Sequence, residues 1–427
     1  MKLGLIGEKL PHSYSKEIFE AILGYPSYDL IELRPEELKG FFGRFAYDGV
    51  NVTVPYKSAV IPFLDEVSDL ARRIGAVNTV VRRSDGSLYG TNTDYAGLIA
   101  LLKRSGADLR GRTVLILGTG GTSKTAVAVC EDLGAGTVLR VSRTARDGAL
   151  TYEEAAGIPA HYLLNTTPCG MFPATGVSPV DPSVFRTEDG KPSLLGVIDV
   201  IYNPLETELM RLARQAGIPS ASGLPMLVAQ AICAEEEFTG RRRNDADRGA
   251  RIERTLGALR SRKDNLVLIG MPYSGKTTVG RLLAGETGRR FCDTDEILSE
   301  RIGPIPEYIR KNGEAAFREE EARTVRAVSD SVRGGVIATG GGAILREENR
   351  RALAENGFLI WLDRNADEIR FDSSRPLSST KEAWIGLKQE REPIYRAAAD
   401  CTVRGFSEPR EASKIILEEY QRWSFGC

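Results

Sequence analysis

The stretch Asn265–Val279 limits the possible folds of this 427-residue chain more than any other part of it. The apolar run Leu266–Ile269 is too short for a core helix and ends at a glycine, so it predicts a buried strand. Residues 270–277 follow at once and fill every fixed position of the pattern G-x-x-x-x-G-K-[ST]. Glycines let backbone N–H groups turn toward a polyphosphate, and a helix beginning near Lys276 adds its positive dipole end. A plain glycine-rich turn is the alternative, but strand, loop, lysine and threonine in register favour a nucleotide site.

Length and charge narrow the class of protein. A chain of this length predicts two or three domains, and 42% hydrophobic with 27% charged residues is typical of globular proteins. A net charge of -1 gives no electrostatic argument for nucleic acid or membrane as a partner. The six cysteines lack C-x-x-C spacing, which favours reduced thiols and a cytoplasmic location. The first residues are expected to form a strand and not a signal peptide, and the sequence contains no run of 18 apolar residues.

Residues 1–100 alternate short apolar runs with helical patterns, which is typical of an α/β layer arrangement. The predicted strands are Leu3–Ile6, Tyr28–Ile31, Val50–Val54 and Asn78–Val81, and the predicted helices cover residues 15–23, 35–43, 57–63 and 66–73. Taken singly, Ser15 and Asp94 could cap helices and Asn78 could satisfy a turn. Together such polar residues lie where strands end, which is where α/β proteins bind ligands.

A βαβ pattern follows. Thr113–Leu117 predicts a strand, residues 124–133 a helix and Val138–Val141 a second strand, with the glycine-rich segment 118–123 between the first two. This is the setting of a dinucleotide-binding fingerprint, although Ser123 stands at the third glycine position.

The end of the second strand indicates which dinucleotide binds. It continues into Ser142-Arg143-Thr144, with no acidic residue to hold a ribose 2′-hydroxyl, whereas an arginine suits a 2′-phosphate. NADP is therefore favoured over NAD. A solvated surface cation is the alternative role for Arg143.

Several stretches of the first 240 residues resemble shikimate dehydrogenase, over the whole length of that family. The matching stretches are His12–Ser15, Asn51–Lys57, Gly75–Asn78, Thr91–Asp94, Gly118–Ser123, Asn165–Met171, Ile198–Pro204 and Gly223–Gln230. The resemblance implies an α/β substrate domain followed by a Rossmann NADP-binding domain. It departs from the family at Ser142, where asparagine is common.

The same resemblance implies roles for individual residues. Lys57 and Asp94 would be the catalytic pair, although the sequence does not decide which of them passes the proton to the ketone oxygen. The substrate-binding residues would be Ser13, Ser15, Asn51, Thr53, Lys57, Asn78, Asp94, Tyr202 and Gln230, with the two serines on the carboxylate. The NADP-binding residues would be Gly118, Gly120, Gly121, Thr122, Ser123, Ser142, Arg143, Thr144, Met171 and Gly223.

Residues 265–427 resemble shikimate kinase from end to end. Besides the phosphate loop, the motifs are Asp293-Thr294-Asp295, Phe317-Arg318 with Glu321, Gly340–Gly342, Arg375-Pro376-Leu377 and Arg391–Tyr395. The resemblance implies a P-loop α/β domain like nucleoside-monophosphate kinases, with a parallel sheet. Thr277 replaces the more frequent serine, and the segment from Arg375 to Arg391 is short for a lid.

Each kinase motif carries an implied role. ATP would contact Gly270, Tyr273, Ser274, Gly275, Lys276, Thr277, Thr278 and Arg375, and Mg²⁺ would be bound by Thr277 and Asp293. Shikimate would contact Asp295, Arg318, Gly341, Gly342 and Arg391. Asp295 and Lys276 would be catalytic, and two guanidiniums suit a planar carboxylate. A solvated helix face is the alternative for Arg318, because three glutamates follow it.

A basic segment separates the two halves. Ile252, Leu256 and Leu259 recur at helical spacing, which predicts a short, amphipathic and mainly solvated linker helix rather than a nucleic-acid arm. The predicted domains are residues 1–100 completed by about 223–240, then 101–240, the linker 241–264, and 265–427.

The predicted function is a bifunctional enzyme that reduces 3-dehydroshikimate with NADPH and then phosphorylates shikimate with MgATP. The sequence is compatible with a homodimer but does not determine the oligomeric state. Three alternatives stay open: a catabolic dehydrogenase using quinate or NAD, a ligand sensor without turnover, and a kinase for another small hydroxy acid. Intact Lys57, Asp94, Lys276 and Asp295 argue against the sensor.

Overall fold

The computed structural model of the chain describes residues 1–10, 13–145, 148–187, 189–369 and 380–426. The chain divides into two compact units, Met1–Leu259 and Arg260–Gly426. Within the described ranges, no helix combines the length and the apolar character needed to cross a membrane.

The first unit begins with a six-stranded mixed sheet in the order β2-β1-β3-β5-β6-β4. Its strands are β1 (Leu3–Gly7), β2 (Tyr28–Glu32), β3 (Gly49–Val52), β4 (Glu66–Val67), β5 (Thr79–Arg82) and β6 (Leu88–Thr91), and its helices are α1 (Ser15–Glu17), α2 (Leu38–Gly43), α3 (Asp69–Ile74) and α4 (Asp94–Arg104). A π-helical turn covers Ile18–Ile22, and 3₁₀ turns cover Pro35–Glu37 and Ile61–Phe63. β1 is parallel to both neighbours, whereas β5 is antiparallel to β3 and β6.

Two predicted helices of this region are wrong. Residues 57–63 form turns and one 3₁₀ turn, because the Lys57 carbonyl accepts from the Val77 N–H across the loop and Pro62 has no N–H for a helical bond. Residues 66–73 divide into β4 and α3. Ser68 caps α3 by accepting from the Ala71 N–H, so the helix cannot include the residues before it.

A second, five-stranded sheet is parallel throughout, in the order β11-β10-β9-β7-β8. Its strands are β7 (Thr113–Leu117), β8 (Thr137–Val141), β9 (Tyr162–Asn165), β10 (Gly196–Asp199) and β11 (Ser220–Ala221), with helices α5 (Gly121–Asp132), α6 (Tyr152–Ala156), α7 (Glu208–Gln215) and α8 (Leu224–Thr239) and a 3₁₀ turn at Pro182–Val184. The predicted βαβ unit is confirmed as β7-α5-β8. α8 packs back on the first sheet through Val228 and Phe238.

The linker forms helix α9 (Asp245–Lys263), and the prediction that it is mainly solvated is wrong for its inner face. Leu256 and Leu259 are buried in the same apolar cluster as α8. Arg248 donates two hydrogen bonds to Glu236, at 3.1 and 2.9 Å, and Arg251 pairs with Glu235. Since both glutamates are buried in α8, the arginines supply the charge partners that such carboxylates need.

The second unit contains a five-stranded parallel sheet in the order β13-β14-β12-β15-β16. Its strands are β12 (Asn265–Ile269), β13 (Phe291–Asp293), β14 (Val336–Ala338), β15 (Gly357–Leu362) and β16 (Cys401–Val403), and its helices are α10 (Lys276–Thr287), α11 (Thr294–Ile302), α12 (Ile305–Ser331), α13 (Glu347–Ala354), α14 (Lys381–Ala398) and α15 (Pro409–Gly426), with 3₁₀ turns at Ala343–Leu345 and Ala366–Glu368. α12 is interrupted at Gly313, which has φ 84°. The three sheets confirm the predicted fold class.

Candidate active sites

The centre of the first site is an ion pair between Lys57 and Asp94. Lys57 lies in the turn after β3, Asp94 is the first residue of α4, and Nζ lies 2.6 Å from Oδ2. Both side chains are about nine-tenths buried. A buried pair with such geometry keeps an ammonium and a carboxylate in fixed positions where little water competes.

Amide side chains hold this pair in a wider network. Asn78 donates to Asp94 Oδ1 at 2.9 Å and to Gln230 Oε1 at 3.5 Å, and its own Oδ1 accepts from the Thr93 N–H at 2.6 Å. Gln230 is on α8, which returns to the first sheet late in the sequence. The predicted residues Lys57, Asn78, Asp94 and Gln230 therefore lie together.

Asn51, on β3, continues the network, and Thr53 follows one residue after the strand. Asn51 donates to Thr79 Oγ1 at 3.1 Å and accepts from the Tyr28 hydroxyl at 2.7 Å. Burial raises the pKa of Tyr28, so its hydroxyl remains a proton donor to Asn51. Thr53 is half-buried, and its methyl group lies against Gly7.

Ser13, Ser15 and Tyr202 form a second group of predicted substrate-binding residues. The Ser15 N–H donates to Ser13 Oγ at 3.3 Å, and the rings of Tyr14 and Tyr202 are 5.1 Å apart. Burial raises the pKa of Tyr202, and its hydrogen bonds with Ser13 and the Tyr14 backbone offset only part of that rise. Hydroxyls and an N–H that lie close together are groups that can bind a carboxylate.

The loop after β7 has the shape of a dinucleotide cradle. Gly118 has φ 112°, and Ser123 Oγ donates to its carbonyl at 2.7 Å. A Cβ at Gly121 would lie 3.0 Å from the Lys57 Cβ, so the missing side chain makes room for the lysine stem. Gly120 has open space around it, and Thr122 is the second residue of α5.

The remaining predicted NADP residues are spread around this loop. Ser142 Oγ donates to the Thr144 carbonyl at 2.6 Å, which closes the turn after β8. Arg143 and Met171 are exposed. Gly223 lies against the Val200 backbone, which leaves no space for a Cβ.

A functional residue that the sequence reasoning missed is Asp199, the last residue of β10. It accepts from Asn165 Nδ2 at 3.0 Å, the Ile201 N–H at 3.0 Å and the Thr207 hydroxyl at 2.8 Å. Asn165 Oδ1 in turn accepts from the Thr167 N–H and hydroxyl. Asp199 thus fixes the turns after β9 and β10, at the strand ends that face the dinucleotide loop. An Asp ending an apolar strand was the available signal.

Stability measurements can test the state of Asp199. Burial raises its pKa from 3.8 to about 6. Protonation therefore stabilises the folded state fully below pH 3.8, and this contribution is lost as pH rises through 6. As pH rises from 4 to 6.5, the free energy of unfolding of Asp199→Asn should increase relative to that of the parent by up to about 3 kcal/mol, because one pKa unit corresponds to ~1.36 kcal/mol.

Hydrogen exchange of the β9 and β10 amides is a suitable measurement of the stability of this region. Tryptophan fluorescence would report on the other unit, because all three tryptophans of the chain lie there. The exposed Glu131→Gln on α5 is the matched control and should show no such pH trend. A difference between Asp199→Asn and the parent that does not change with pH would contradict the raised pKa.

The second site contains the phosphate loop between β12 and α10. Gly275 has φ 89° and Tyr273 has φ 66°, the left-handed conformations that such a loop requires. Lys276 Nζ lies 2.9 Å from the carbonyls of Gly270 and Met271, so the cation lies over the centre of the loop. Ser274 is buried, while Thr278 is exposed on the first turn of α10.

Two predicted metal ligands lie side by side next to this loop. The Thr277 hydroxyl donates to Asp293 Oδ2 at 2.7 Å, and Asp293 Oδ1 caps α11 by accepting from the Asp295 N–H at 3.0 Å. Asp295 projects toward Gly340, where a Cβ would be 2.5 Å from its Oδ1. Carboxylate and hydroxyl oxygens of this kind suit Mg²⁺.

Two arginines approach the glycine loop after β14. Arg318 pairs with Glu321 at 2.8 Å and lies so close to Gly342 that a Cβ there would collide with the guanidinium. Arg391 Nη1 lies 3.3 Å from the Gly341 carbonyl. The structure therefore brings together four of the predicted shikimate-binding residues, Arg318, Arg391, Gly341 and Gly342. Arg375 lies outside the described residues.

Three supporting residues of this site had no predicted role. The Tyr395 hydroxyl donates to the Gly341 carbonyl at 2.5 Å, and the Trp384 indole N–H donates to Pro272 in the phosphate loop at 2.9 Å. Burial raises the pKa of Glu321, whose carboxylate pairs with Arg318. Aromatic residues at helical spacing in α14 were the available signal.

Comparison with known proteins assigns both units to families. The family model "Shikimate dehydrogenase substrate binding domain" matches residues 5–80, and "Shikimate kinase" matches residues 272–421. Shikimate dehydrogenase (NADP(+)) of Clostridium beijerinckii is 36% identical over 249 residues, which cover 55% of this chain and 90% of the relative. That of Geobacillus kaustophilus is 37% identical over 260 residues, covering 56% and 92%.

Solved structures agree. Shikimate dehydrogenase 1 of Peptoclostridium difficile is similar with a TM-score of 0.54 and 37% identity, covering 59% of this chain and 97% of that one. A chorismate mutase/shikimate 5-dehydrogenase fusion protein of Clostridium acetobutylicum has a TM-score of 0.53 and 34% identity, with 59% and 95% covered.

Proposed function

Because this chain belongs to the shikimate dehydrogenase family and continues into a shikimate kinase domain, we propose a catalytic role for the buried Lys57–Asp94 pair in its first unit. The chain is a fusion enzyme of the shikimate pathway, an NADP-dependent oxidoreductase and an ATP-using phosphotransferase in one polypeptide. Lys57 and Asp94 hold the ketone oxygen of 3-dehydroshikimate and supply its proton, since they are the buried acid–base pair beside the dinucleotide loop.

The remaining dehydrogenase residues bind and orient the substrate. Ser13, Ser15 and Tyr202 hold the carboxylate, a role supported by the hydrogen bonds that join Ser13 Oγ to the Ser15 N–H and to Tyr202. Asn51, Thr53, Asn78 and Gln230 contact the ring hydroxyls through amide and hydroxyl groups of both donor and acceptor character. Fixing the substrate at several points places its ketone beside Lys57.

NADPH fits the loop Gly118–Ser123, and when bound it supplies the hydride. The fit rests on the positive φ of Gly118, the open space at Gly120 and the N-terminus of α5. Ser142, Arg143, Thr144, Met171 and Gly223 complete the cradle. Arg143 is exposed, and the described residues 142–145 of its turn include no acidic side chain, which supports its availability to a 2′-phosphate.

Arg143→Ala should raise the KM for NADPH by ~10-fold or more and leave the KM for NADH nearly unchanged, because a charge-assisted contact to the 2′-phosphate is lost. Steady-state kinetics with both cofactors would measure it. Arg186→Ala, another exposed arginine of the same sheet domain, is the matched control and should change neither value. Equal weakening of NADPH and NADH would exclude the 2′-phosphate role.

In the kinase unit, Lys276 holds the β- and γ-phosphates and Asp295 acts as the base at the acceptor hydroxyl. Thr277 and Asp293 would hold Mg²⁺, which would neutralise phosphate charge. In the described ranges no three His, Cys, Asp or Glu side chains form a metal cluster, but Mg²⁺ at nucleotide sites commonly needs only one or two carboxylates plus phosphates. The rest of the ATP site is Gly270, Tyr273, Ser274, Gly275, Thr278 and Arg375.

Arg318 and Arg391 grip the shikimate carboxylate, and the Gly341–Gly342 backbone lines its ring. Arg391 is buried, and its Nε has no hydrogen-bond partner among the described residues, which supports a ligand at this point. Phosphoryl transfer needs alignment and charge neutralisation, and these residues supply both.

A coupled assay with the full chain tests the proposal: 3-dehydroshikimate, NADPH and MgATP are added together. Shikimate 3-phosphate should form, with one NADPH oxidised for each ATP consumed at completion. Shikimate that accumulates without phosphorylation would remove the kinase assignment, and no oxidation of NADPH would remove the dehydrogenase assignment.

The cellular setting and the domain limits belong to the same proposal. All described cysteines are free thiols, which supports a cytoplasmic location. The dehydrogenase would comprise residues 1–100 with 223–240 and the NADP domain within 101–240, followed by the linker and a kinase domain at 265–427. Sedimentation of the full chain would decide between a monomer and a homodimer.

A further inference from the structure

The Lys57 ammonium has two anchors from different sheets of the first unit. Besides the carboxylate of Asp94 at 2.6 Å, Nζ donates to Thr122 Oγ1 at 3.1 Å. Asp94 follows the first sheet, whereas Thr122 belongs to the dinucleotide loop of the second. These two are the acceptors that the described residues offer to this ammonium. The glycine-rich pattern that predicted a dinucleotide site does not predict this contact between Thr122 and Lys57.

The backbone around Thr122 is shaped to bring this hydroxyl to the lysine. Thr122 is the second residue of α5, and the neighbouring Ser123 is fixed by its bond to the Gly118 carbonyl. Gly121 lies against the Lys57 stem, where a Cβ would be 3.0 Å from one stem carbon and 3.2 Å from another. A side chain at 121 would be in tight contact with the lysine stem, so the glycine leaves room for the stem beside Thr122.

An ammonium has three N–H groups and a flexible four-carbon stem. Two fixed acceptors leave one N–H for a third partner, and that N–H points to a defined place. Holding the stem beforehand removes the entropic cost of ordering it, which for lysine is about 2 kcal/mol of rotamer freedom. We infer that Thr122 is a positioning residue, which fixes the direction of the Lys57 proton toward the substrate ketone.

This inference rests on the proposed catalytic role of Lys57, and it adds a consequence for cofactor binding. The loop that cradles the dinucleotide also carries the second anchor of the lysine. Because the Thr122 hydroxyl accepts from Lys57, its removal should change kcat more than the Kd for NADPH.

Substitutions at Thr122 test the inference in the full chain. Thr122→Val keeps the shape and removes the acceptor, and Thr122→Ser keeps the hydroxyl. Valine should lower kcat for 3-dehydroshikimate reduction by ~10-fold, which corresponds to one lost hydrogen bond to a charged group. The Kd for NADPH, measured by its own fluorescence, should stay within about threefold of the parent, and serine should restore most of kcat.

Lys57→Ala measured in parallel distinguishes the positioning role of Thr122 from the catalytic role of Lys57. If it is inactive while Thr122→Val has the parental kcat, the positioning role is wrong and the role of Lys57 stands. If Lys57→Ala keeps its activity, the proposed role of the lysine fails and takes this inference with it. A Thr122→Val variant that binds NADPH poorly but reaches the parental kcat at saturating NADPH would assign the Thr122 hydroxyl to the cofactor alone and also overturn the inference.

Discussion

Lys57→Ala should lower kcat for 3-dehydroshikimate reduction by ~10³-fold, within the range typical of a lost general acid. The substitution removes the ammonium from a buried pair and leaves Asp94 without its cation partner. The rate of shikimate phosphorylation should not change, because the kinase residues belong to the other compact unit. NADPH oxidation and ATP consumption measured on one sample give both numbers.

Lys103→Ala is the control for this experiment. Lys103 is an exposed lysine on α4, the helix that begins with Asp94, and neither rate should respond to its loss. Loss of both activities in Lys57→Ala would mean that the two sites are not independent. A decrease in kcat of less than about tenfold would contradict general-acid catalysis by this pair.

Lys276→Ala should have the converse effect, with a kinase kcat about 10³-fold lower, as for loss of a preorganised donor to developing charge. In the phosphate loop Nζ already lies over the carbonyls of Gly270 and Met271, so the cation is in place before the phosphates bind. Dehydrogenase kinetics should match those of the parent.

Lys414→Ala on α15 is the matched control, since that lysine is exposed and lies in the same unit. ATP affinity separates two causes of a low rate. A weakened but measurable affinity together with the lost kcat supports the phosphate role of Lys276. A kinase that retains more than a tenth of its rate would contradict it.

Local patterns predicted the elements that depend on neighbours in sequence. The strand, glycine loop and helix around Lys276, and the βαβ unit around Gly118, are both set by short-range turn chemistry and apolar runs. The helix predicted at 57–63 failed because its hydrogen bonds go elsewhere. The Lys57 carbonyl accepts from Val77, twenty positions away in sequence, and no local pattern contains that partner.

Long-range contacts account for most of what the sequence could not give. The resemblance named Asn78 and Gln230, but their 3.5 Å contact spans 152 positions. Asp199 binds Asn165 at the end of β9, and Tyr395 binds the Gly341 carbonyl of the glycine loop. In sequence each looks like an ordinary residue of a strand or helix. Such residues become recognisable only when their partners are known.

The docked face of α9 decides where the two activities can be separated. Glu235 and Glu236 are ionisable groups in the interior of the dehydrogenase unit, and each has its arginine partners only after residue 240. A dehydrogenase expressed on its own and cut at Gly240 would lose every one of these cations together with the apolar contacts of Leu256 and Leu259, and we expect it to be less stable than one that keeps α9. A split gene for the two enzymes should therefore be divided after Leu259, so that the apparent spacer stays with the protein that precedes it.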